Sequence, residues 1–193
     1  MSLVDLPASA AWRHSGFHDG YEAVFLQDDD TGYRLDGHTV ATEDDRPWVV
    51  RYAITLDQRW ITTEVRVWGW SPLGSRTVQL ATDPAGHWTV DGAVVPELEG
   101  CIDVDLESSC CTNTIPVHRL QLGVGQSADA PAAYIRAFDL SVQRLEQRYA
   151  RLDDEDTRLH FDYHAPAFDF NAVLVYDESG LIIEYPGIGS RVL

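Results

Sequence analysis

Apolar and polar residues alternate along several segments of this chain, and short clusters of Gly, Pro and Asp separate those segments. The clearest case places large apolar side chains on one face of a strand: Trp48, Val50, Tyr52, Ile54 and Leu56. A period of two, rich in β-branched and aromatic residues, is typical of strands, and closely spaced turns favour antiparallel connections. The pattern predicts an all-β fold, and the length of 193 residues predicts one domain over residues 1–193.

Residues 141–152 depart from this alternation. Val142, Leu145, Tyr149 and Leu152 recur at helical spacing, and the residues between them are mostly Gln, Glu and Arg, which favour helices. Taken alone, the segment predicts a helix.

The charge balance excludes several partners. The chain has 31 acidic residues against 14 Lys plus Arg, a formal net charge of −17, and none of the cations is a lysine. Such a field repels nucleic acid and anionic membrane surfaces, and no apolar run approaches the ~18 residues of a membrane helix. The acids extend from Asp5 to Glu184, which favours adaptation to high salt over a localised acidic site.

Three cysteines, Cys101, Cys110 and Cys111, make a poor disulfide framework because their number is odd and two are adjacent. We interpret all three as reduced, which predicts a cytoplasmic location. Residues 1–16 carry no basic residue before Arg13 and no long apolar stretch, so they do not resemble a secretory signal.

A central run, residues 100–107, alternates strictly and places Asp103, Asp105 and Glu107 on one face of a predicted strand. That face is either wet by solvent or part of a polar site with Arg119 as the partner. The following residues 112–114 are short and polar, and Pro116 lacks an N–H for a sheet ladder. We expect a corner into a new strand, with Arg119 paired to Asp103 or Asp105 across adjacent strands and Asn113 bonded to backbone.

The runs GCIDVDL and TNTIPVHRL at residues 100–106 and 112–120 resemble the signature of the putative glycolipid-binding family of bacteria and archaea. Further matches extend from Trp12 to Arg191. The resemblance implies a long antiparallel sheet curled into a spiral roll, a partly open barrel similar to bacterial lipoprotein carriers, and it implies strand over residues 141–152. It also implies lipid or glycolipid binding and supplies no catalytic residues.

The chain departs from the family pattern before the TNT run. Cys110 and Cys111 stand where a proline and an aromatic residue are expected, and His118 stands where a second arginine is common. The cysteines are candidate nucleophiles near His118 or small buried residues, and burial is the commoner state of free cysteine.

Two groups have the residue types of a metal site. His160, Asp162 and His164 share a strand face, and His14, His18 and Asp19 form a second group near a turn. A solvated strand face in a surface rich in acids explains the first group better, so we expect no metal and no other cofactor.

Four tryptophans are further candidates for the binding surface. Trp60, Trp68 and Trp70 are predicted on one face of a strand, and Trp88 follows in the next hairpin. We interpret the chain as a non-enzymatic protein that binds a lipid or glycolipid in an apolar cavity of the roll. The candidate ligand-binding residues are Trp60, Trp68, Trp70, Trp88, Asp103, Asp105, Asn113, His118 and Arg119.

Two alternatives stay open on the sequence. One is a small hydrolase acting on a lipid or sugar ester through paired carboxylates or the metal column at residues 160–164. The other is a β scaffold that binds another protein at an edge strand. The sequence does not determine the oligomeric state.

Overall fold

Long antiparallel strands form most of the molecule, as the alternation predicts. The computed structural model describes residues 3–83 and 85–192, so residues 1, 2, 84 and 193 of the predicted domain lie outside the described residues. The strands are β1 (Ser9–His14), β2 (Asp19–Asp29), β3 (Gly32–Glu43), β4 (Arg46–Asp57), β5 (Thr62–Ser71), β6 (Gly74–Thr82), β7 (Trp88–Val90), β8 (Ala93–Val94), β9 (Asp103–Leu106), β10 (Ser127–Asp129), β11 (Ala132–Ile135), β12 (Val142–Leu145), β13 (Arg148–Arg151), β14 (Leu159–Ala165), β15 (Phe170–Tyr176), β16 (Ile182–Tyr185) and β17 (Gly189–Arg191).

Helices are few and short. The α-helix α1 spans Thr114–Leu120, and 3-10 turns span Pro96–Leu98, Cys111–Asn113 and Pro166–Phe168. None of the helices in the described part of the chain is long and apolar enough to cross a membrane.

One large sheet contains 14 strands among the described residues, in the order β10-β13-β14-β15-β16-β17-β1-β2-β3-β4-β5-β6-β7-β8. Its neighbouring strands pair antiparallel, and its two ends, β10 and β8, do not pair with each other to close a barrel. Strand β1 lies inside the sheet, between β17 and β2. The predicted fold class is confirmed.

A second sheet has the order β12-β11-β9, and its β9–β11 pair is parallel. This sheet and α1 belong to a segment, residues 98–145, that packs on the inward face of the large sheet except where β10 pairs into that sheet. Three hydrogen bonds from widely separated strands fix it: Thr39 Oγ1 to the Ser108 carbonyl at 2.7 Å, Trp88 Nε1 to the Cys101 carbonyl at 2.9 Å, and the Tyr176 hydroxyl to the Asn113 carbonyl at 3.1 Å.

The core combines the inward faces of both sheets. The β4 face predicted from the sequence is fully buried, and it joins Val104, Leu106 and Ile115 of the inner segment in one continuous hydrophobic cluster. Because β9 is buried on both faces, its apolar and its acidic side chains both lie inside the protein.

Two local predictions are wrong. Residues 114–120 form helix α1 and not a strand, and Pro116 is the third residue of that helix, where the missing N–H breaks no helical hydrogen bond. Residues 141–152 form no helix but strands β12 and β13, which belong to different sheets. The family resemblance predicted strand there correctly.

Candidate functional site

The central motif places two carboxylates inside the protein. Asp103 and Asp105 lie in β9, which pairs with β11 on one side, and both are buried. Arg119 of α1 donates two hydrogen bonds to Asp103, from Nε at 2.7 Å and from Nη2 at 2.6 Å. The predicted pairing of Arg119 with this strand is confirmed, but the arginine comes from a helix and not from an adjacent strand.

The hydrogen-bond partners of Asp105 are uncharged side chains. Its carboxylate accepts from Thr112 Oγ1 at 2.8 Å and from Gln147 Nε2 at 2.5 Å, and the same Gln147 nitrogen lies 3.0 Å from the Tyr163 hydroxyl. Burial raises the pKa of Asp105 to about 6, although both hydrogen bonds lower it. Because no cation contacts Asp105 among the described residues, its charged form is poorly compensated.

Asn113 links the inner segment to the large sheet. Its side-chain Oδ1 accepts from the Tyr149 hydroxyl at 2.7 Å, and its carbonyl accepts from the Tyr176 hydroxyl. The prediction that the Asn113 side chain bonds backbone is therefore wrong. The hydroxyl of Tyr149 in β13 bonds the Asn113 side chain in place of a backbone group of a turn, and the hydroxyl of Tyr176 in β15 bonds the Asn113 carbonyl.

His118 and Trp60 form an aromatic stack. Their ring centroids lie 3.9 Å apart with nearly parallel planes, and Tyr33 packs on Trp60 at 4.4 Å. Burial lowers the pKa of His118 to about 4, so its imidazole is neutral at physiological pH. Trp60 has a φ of +64°, a left-handed conformation that is costly for a bulky residue, and Asp57 accepts from the backbone N–H groups of Arg59 and Ile61 on either side.

A cavity of about 810 Å³ lies beside this stack. Its lining mixes apolar side chains with charged and amide-bearing ones, and comes from the N-terminal segment, β2, β3, α1 and the Arg151 region. The residues that line it are 3–8, Leu26, Gln27, Asp28, Tyr33, Arg34, Leu35, Gln58, Trp60, Val117, His118, residues 121–124, Arg151, Asp154, Leu159 and Phe161.

The structure separates the four tryptophans of the predicted surface. Trp60 lies in the turn before β5 and lines the cavity, and Trp88 is buried in the core. Trp68 and Trp70 lie on the outer face of β5, where Trp68 packs under Arg51 and Trp70 is 52% exposed. Of the nine candidate ligand-binding residues, only Trp60 and His118 line the cavity.

A second buried polar cluster escaped the sequence reasoning. Glu22 in β2 is buried, and its Oε1 accepts from the Tyr52 hydroxyl at 2.6 Å and from the Ser109 hydroxyl. Its Oε2 accepts from the Cys110 amide at 2.7 Å and lies 3.3 Å from His14 Nε2. Glu22 shares its strand face with Val24 and Leu26, and that parity was the signal that it points inward.

His14 connects this cluster to the first turn. Its Nδ1 lies 2.6 Å from His18 Nε2, and its Nε2 lies 3.8 Å from Cys110 Sγ. Burial and, to a smaller extent, the neighbouring His14 lower the pKa of His18 to about 4. Asp19, grouped with these histidines by sequence, makes no hydrogen bond to either of them, and Glu22 takes that place.

Among the described residues, neither predicted metal group forms a cluster of metal-binding size, although His14 of the second group belongs to a different one. Within those residues, the ligand atoms of His160, Asp162 and His164 form no such cluster, whereas those of His14, Glu22 and Cys110 do. All three cysteines are free and buried, as expected. Burial raises the pKa of the Cys110 and Cys111 thiols well above the usual range, so neither is an activated nucleophile.

The sequence model of a protein family described as "Putative glycolipid-binding" matches residues 9–191. A DUF1089 family protein from Pseudomonas aeruginosa, known as a crystal structure, is 33% identical with a TM-score of 0.78, over 100% of this chain and 97% of that one. A β-barrel-like DUF1849 protein from Brucella abortus is 10% identical with a TM-score of 0.51, over 98% of this chain and 96% of that one, which shows similarity of fold alone. No curated protein matches the chain.

Proposed function

The chain belongs to the putative glycolipid-binding family, and we propose that it binds a glycolipid, without chemically changing it, in the cavity beside Trp60 and His118. The cavity carries this proposal. Its volume of about 810 Å³ lies within the ~300 to 1,000 Å³ typical of small-molecule sites, and its lining offers both apolar surface and hydrogen-bonding groups. An amphipathic ligand needs both.

The charges around the cavity favour an uncharged head group. Arg34 already pairs with Asp36 through two hydrogen bonds, and Arg151 already bonds two backbone carbonyls and Asp154. A phosphate would compete with these existing pairings, and the net charge of −17 repels anionic lipids. Sugar hydroxyls, which both donate and accept, suit Gln58, Gln121 and the acidic groups of the lining.

The hydrolase alternative is weaker on the same geometry. Asp103 is neutralised by Arg119 and Asp105 is enclosed by Thr112 and Gln147, so neither carboxylate faces the cavity that would hold a substrate.

Buried free cysteines support a reducing compartment, which we propose is the cytoplasm. The net charge of −17 supports adaptation to high salt.

The test is native mass spectrometry of the purified protein, followed by titration with octyl glucoside below its micelle concentration. We expect a co-purifying lipid mass and saturable binding of the glucoside. Val124→Trp, at an exposed residue that lines the cavity, should fill the space and reduce the affinity at least tenfold. Val94→Trp, at an exposed residue of β8 away from the cavity, is the matched control. Equal binding by both variants would refute the cavity as the site.

A further inference from the structure

Three different metal-binding side chains converge in the interior, away from the glycolipid cavity. The ligand atoms of His14, Glu22 and Cys110 all lie within 4.8 Å of one another, and all three residues are buried. They come from distant parts of the chain: His14 ends β1, Glu22 lies in β2, and Cys110 precedes the 3-10 turn of the inner segment.

The two separations from His14 are close to those of tetrahedral coordination. His14 Nε2 lies 3.3 Å from Glu22 Oε2 and 3.8 Å from Cys110 Sγ. Zinc bonds of about 2.0 to 2.3 Å at tetrahedral angles place pairs of ligand atoms roughly 3.3 to 3.7 Å apart. The third pair, a Glu22 oxygen and Cys110 Sγ, lies within 4.8 Å, so shifts of about 1 Å bring all three atoms to the spacing of one coordinated cation.

The charges also match a dication. Glu22 is a buried carboxylate. Among the described residues, no Arg forms an ion pair with it, and His14 is its only basic neighbour within ion-pair distance. A divalent ion bound by one carboxylate, one thiolate and one neutral imidazole leaves the site neutral. The Cys110 thiol gives its proton to solvent on binding, because a dication stabilises the thiolate that burial alone disfavours.

The surrounding residues hold the three ligands in place. His18 Nε2 contacts the other ring nitrogen of His14 at 2.6 Å, which leaves His14 Nε2 to face Glu22 and Cys110. Tyr52 and Ser109 fix Glu22 Oε1 and leave Oε2 toward the centre. Such outer contacts are the rule at metal sites, where they orient the ligands.

A Cys-His-Glu catalytic triad is a different use of the same residues, and the geometry disfavours it. In a triad the nucleophile and the acid bond opposite nitrogens of the imidazole. Here Cys110 Sγ and Glu22 Oε2 both face Nε2 of His14, whereas Nδ1 faces His18. A cation shared by the three residues requires this arrangement, in which Cys110 Sγ and Glu22 Oε2 face the same nitrogen of His14.

We propose that His14, Glu22 and Cys110 bind one divalent cation of the zinc class, with a water in the fourth position. Nitrogen, oxygen and thiolate ligands together favour Zn²⁺ or Co²⁺ over Mg²⁺ or Ca²⁺, which prefer oxygen alone. This site is independent of the glycolipid cavity, so either proposal can fail without the other.

The test is Co²⁺ titration of the full chain after treatment with a chelator, under reducing conditions and followed by absorption spectroscopy. Since the cluster is enclosed, a second sample is refolded from denaturant with Co²⁺ present. We expect one Co²⁺ per chain, a thiolate-to-cobalt charge-transfer band, and displacement of the cobalt by Zn²⁺.

The variants assign the site. Cys110→Ser should lose the charge-transfer band, and Cys111→Ser, at the adjacent and equally buried thiol, should keep it. His18→Ala, which removes only an outer contact, should weaken binding by about 10- to 100-fold. Circular dichroism establishes that each variant is folded, and Glu22→Gln, expected to bind more weakly, replaces Cys110→Ser if that variant is not. No stoichiometric cobalt by either loading route, or a band that persists in Cys110→Ser, would overturn the proposal.

Discussion

Arg119 of α1 holds Asp103 of β9 through two parallel hydrogen bonds, with the carboxylate almost wholly buried and the guanidinium mostly so. Removing one partner of a buried pair strands the other charge, which costs about 3 to 5 kcal/mol. We therefore expect Arg119→Ala to lower the free energy of unfolding by that amount in urea denaturation.

The matched control for this pair is Arg148→Ala. Arg148 pairs with Asp129 between β13 and β10, and both side chains are more than half exposed. Exposed pairs contribute about 0 to 1 kcal/mol, so this variant should unfold almost as the natural protein does. Equal losses in the two variants would show that the Asp103 pair is not the buried anchor of α1.

Asp105 makes stability depend on pH in the direction opposite to most carboxylates. Burial raises its pKa from 3.8 to about 6 in the folded protein, so the folded state binds more protons than the unfolded state between those values. The contribution of Asp105 to the free energy of unfolding is largest below pH 4 and falls as pH rises to about 6, by roughly 3 kcal/mol in total.

Asp105→Asn isolates this contribution, because asparagine has no charge to bury. Urea denaturation of both proteins at pH 5 and pH 8 should show the variant gaining stability relative to the natural chain as pH rises. Gln147 can turn its amide to present Oε1 to the new amide group, which keeps the network intact. A difference between the two proteins that does not change with pH would contradict the raised pKa.

Gly37 of β3 lies beneath the ring of Tyr52, its cross-strand partner in β4. A Cβ on Gly37 would lie 2.0 Å from Tyr52 Cζ, so Gly37→Ala must displace the ring and its hydrogen bond to Glu22. We expect a loss of about 1 to 3 kcal/mol, typical of overpacking. Gly123→Ala is the control, since its Cβ meets only the end of the Gln126 side chain at 3.3 Å. Equal stability of the two variants would show that Tyr52 has room to move.

The parity of β4 was readable from the sequence, and so was that of β5 from Glu64 onward, but that of the residues before Glu64 was not. A bulge between Thr55 and Leu56 shifts the register of β4 against β5. Alternation extrapolated through this point puts Trp60 on the face of Trp68 and Trp70, whereas the structure places Trp60 in a left-handed turn. A bulge depends on the pairing of two strands and leaves no clear mark in either strand alone.

The acidic alternation of β9 was equally ambiguous. A strand wet on one face and a strand buried on both faces can carry the same pattern, and the distinction lies in the partners that cover the acids. Arg119, Thr112 and Gln147 supply those partners from α1, the 3-10 turn and the link between β12 and β13. In residues 141–152, ladder pairing with two different sheets overrides the local helical preference.

Salt should stabilise this protein strongly. The net charge is −17 with 31 acidic residues, and at low ionic strength their mutual repulsion opposes the compact state. Because the screening length falls from about 10 Å at 0.1 M to about 3 Å at 1 M, we expect the melting temperature at pH 7.5 to rise continuously between 0.1 M and 2 M KCl. The control is the same series near pH 4.5, the isoelectric point, where the net charge vanishes and the rise should largely disappear. A melting temperature at pH 7.5 that stays flat or falls with KCl would contradict adaptation to high salt.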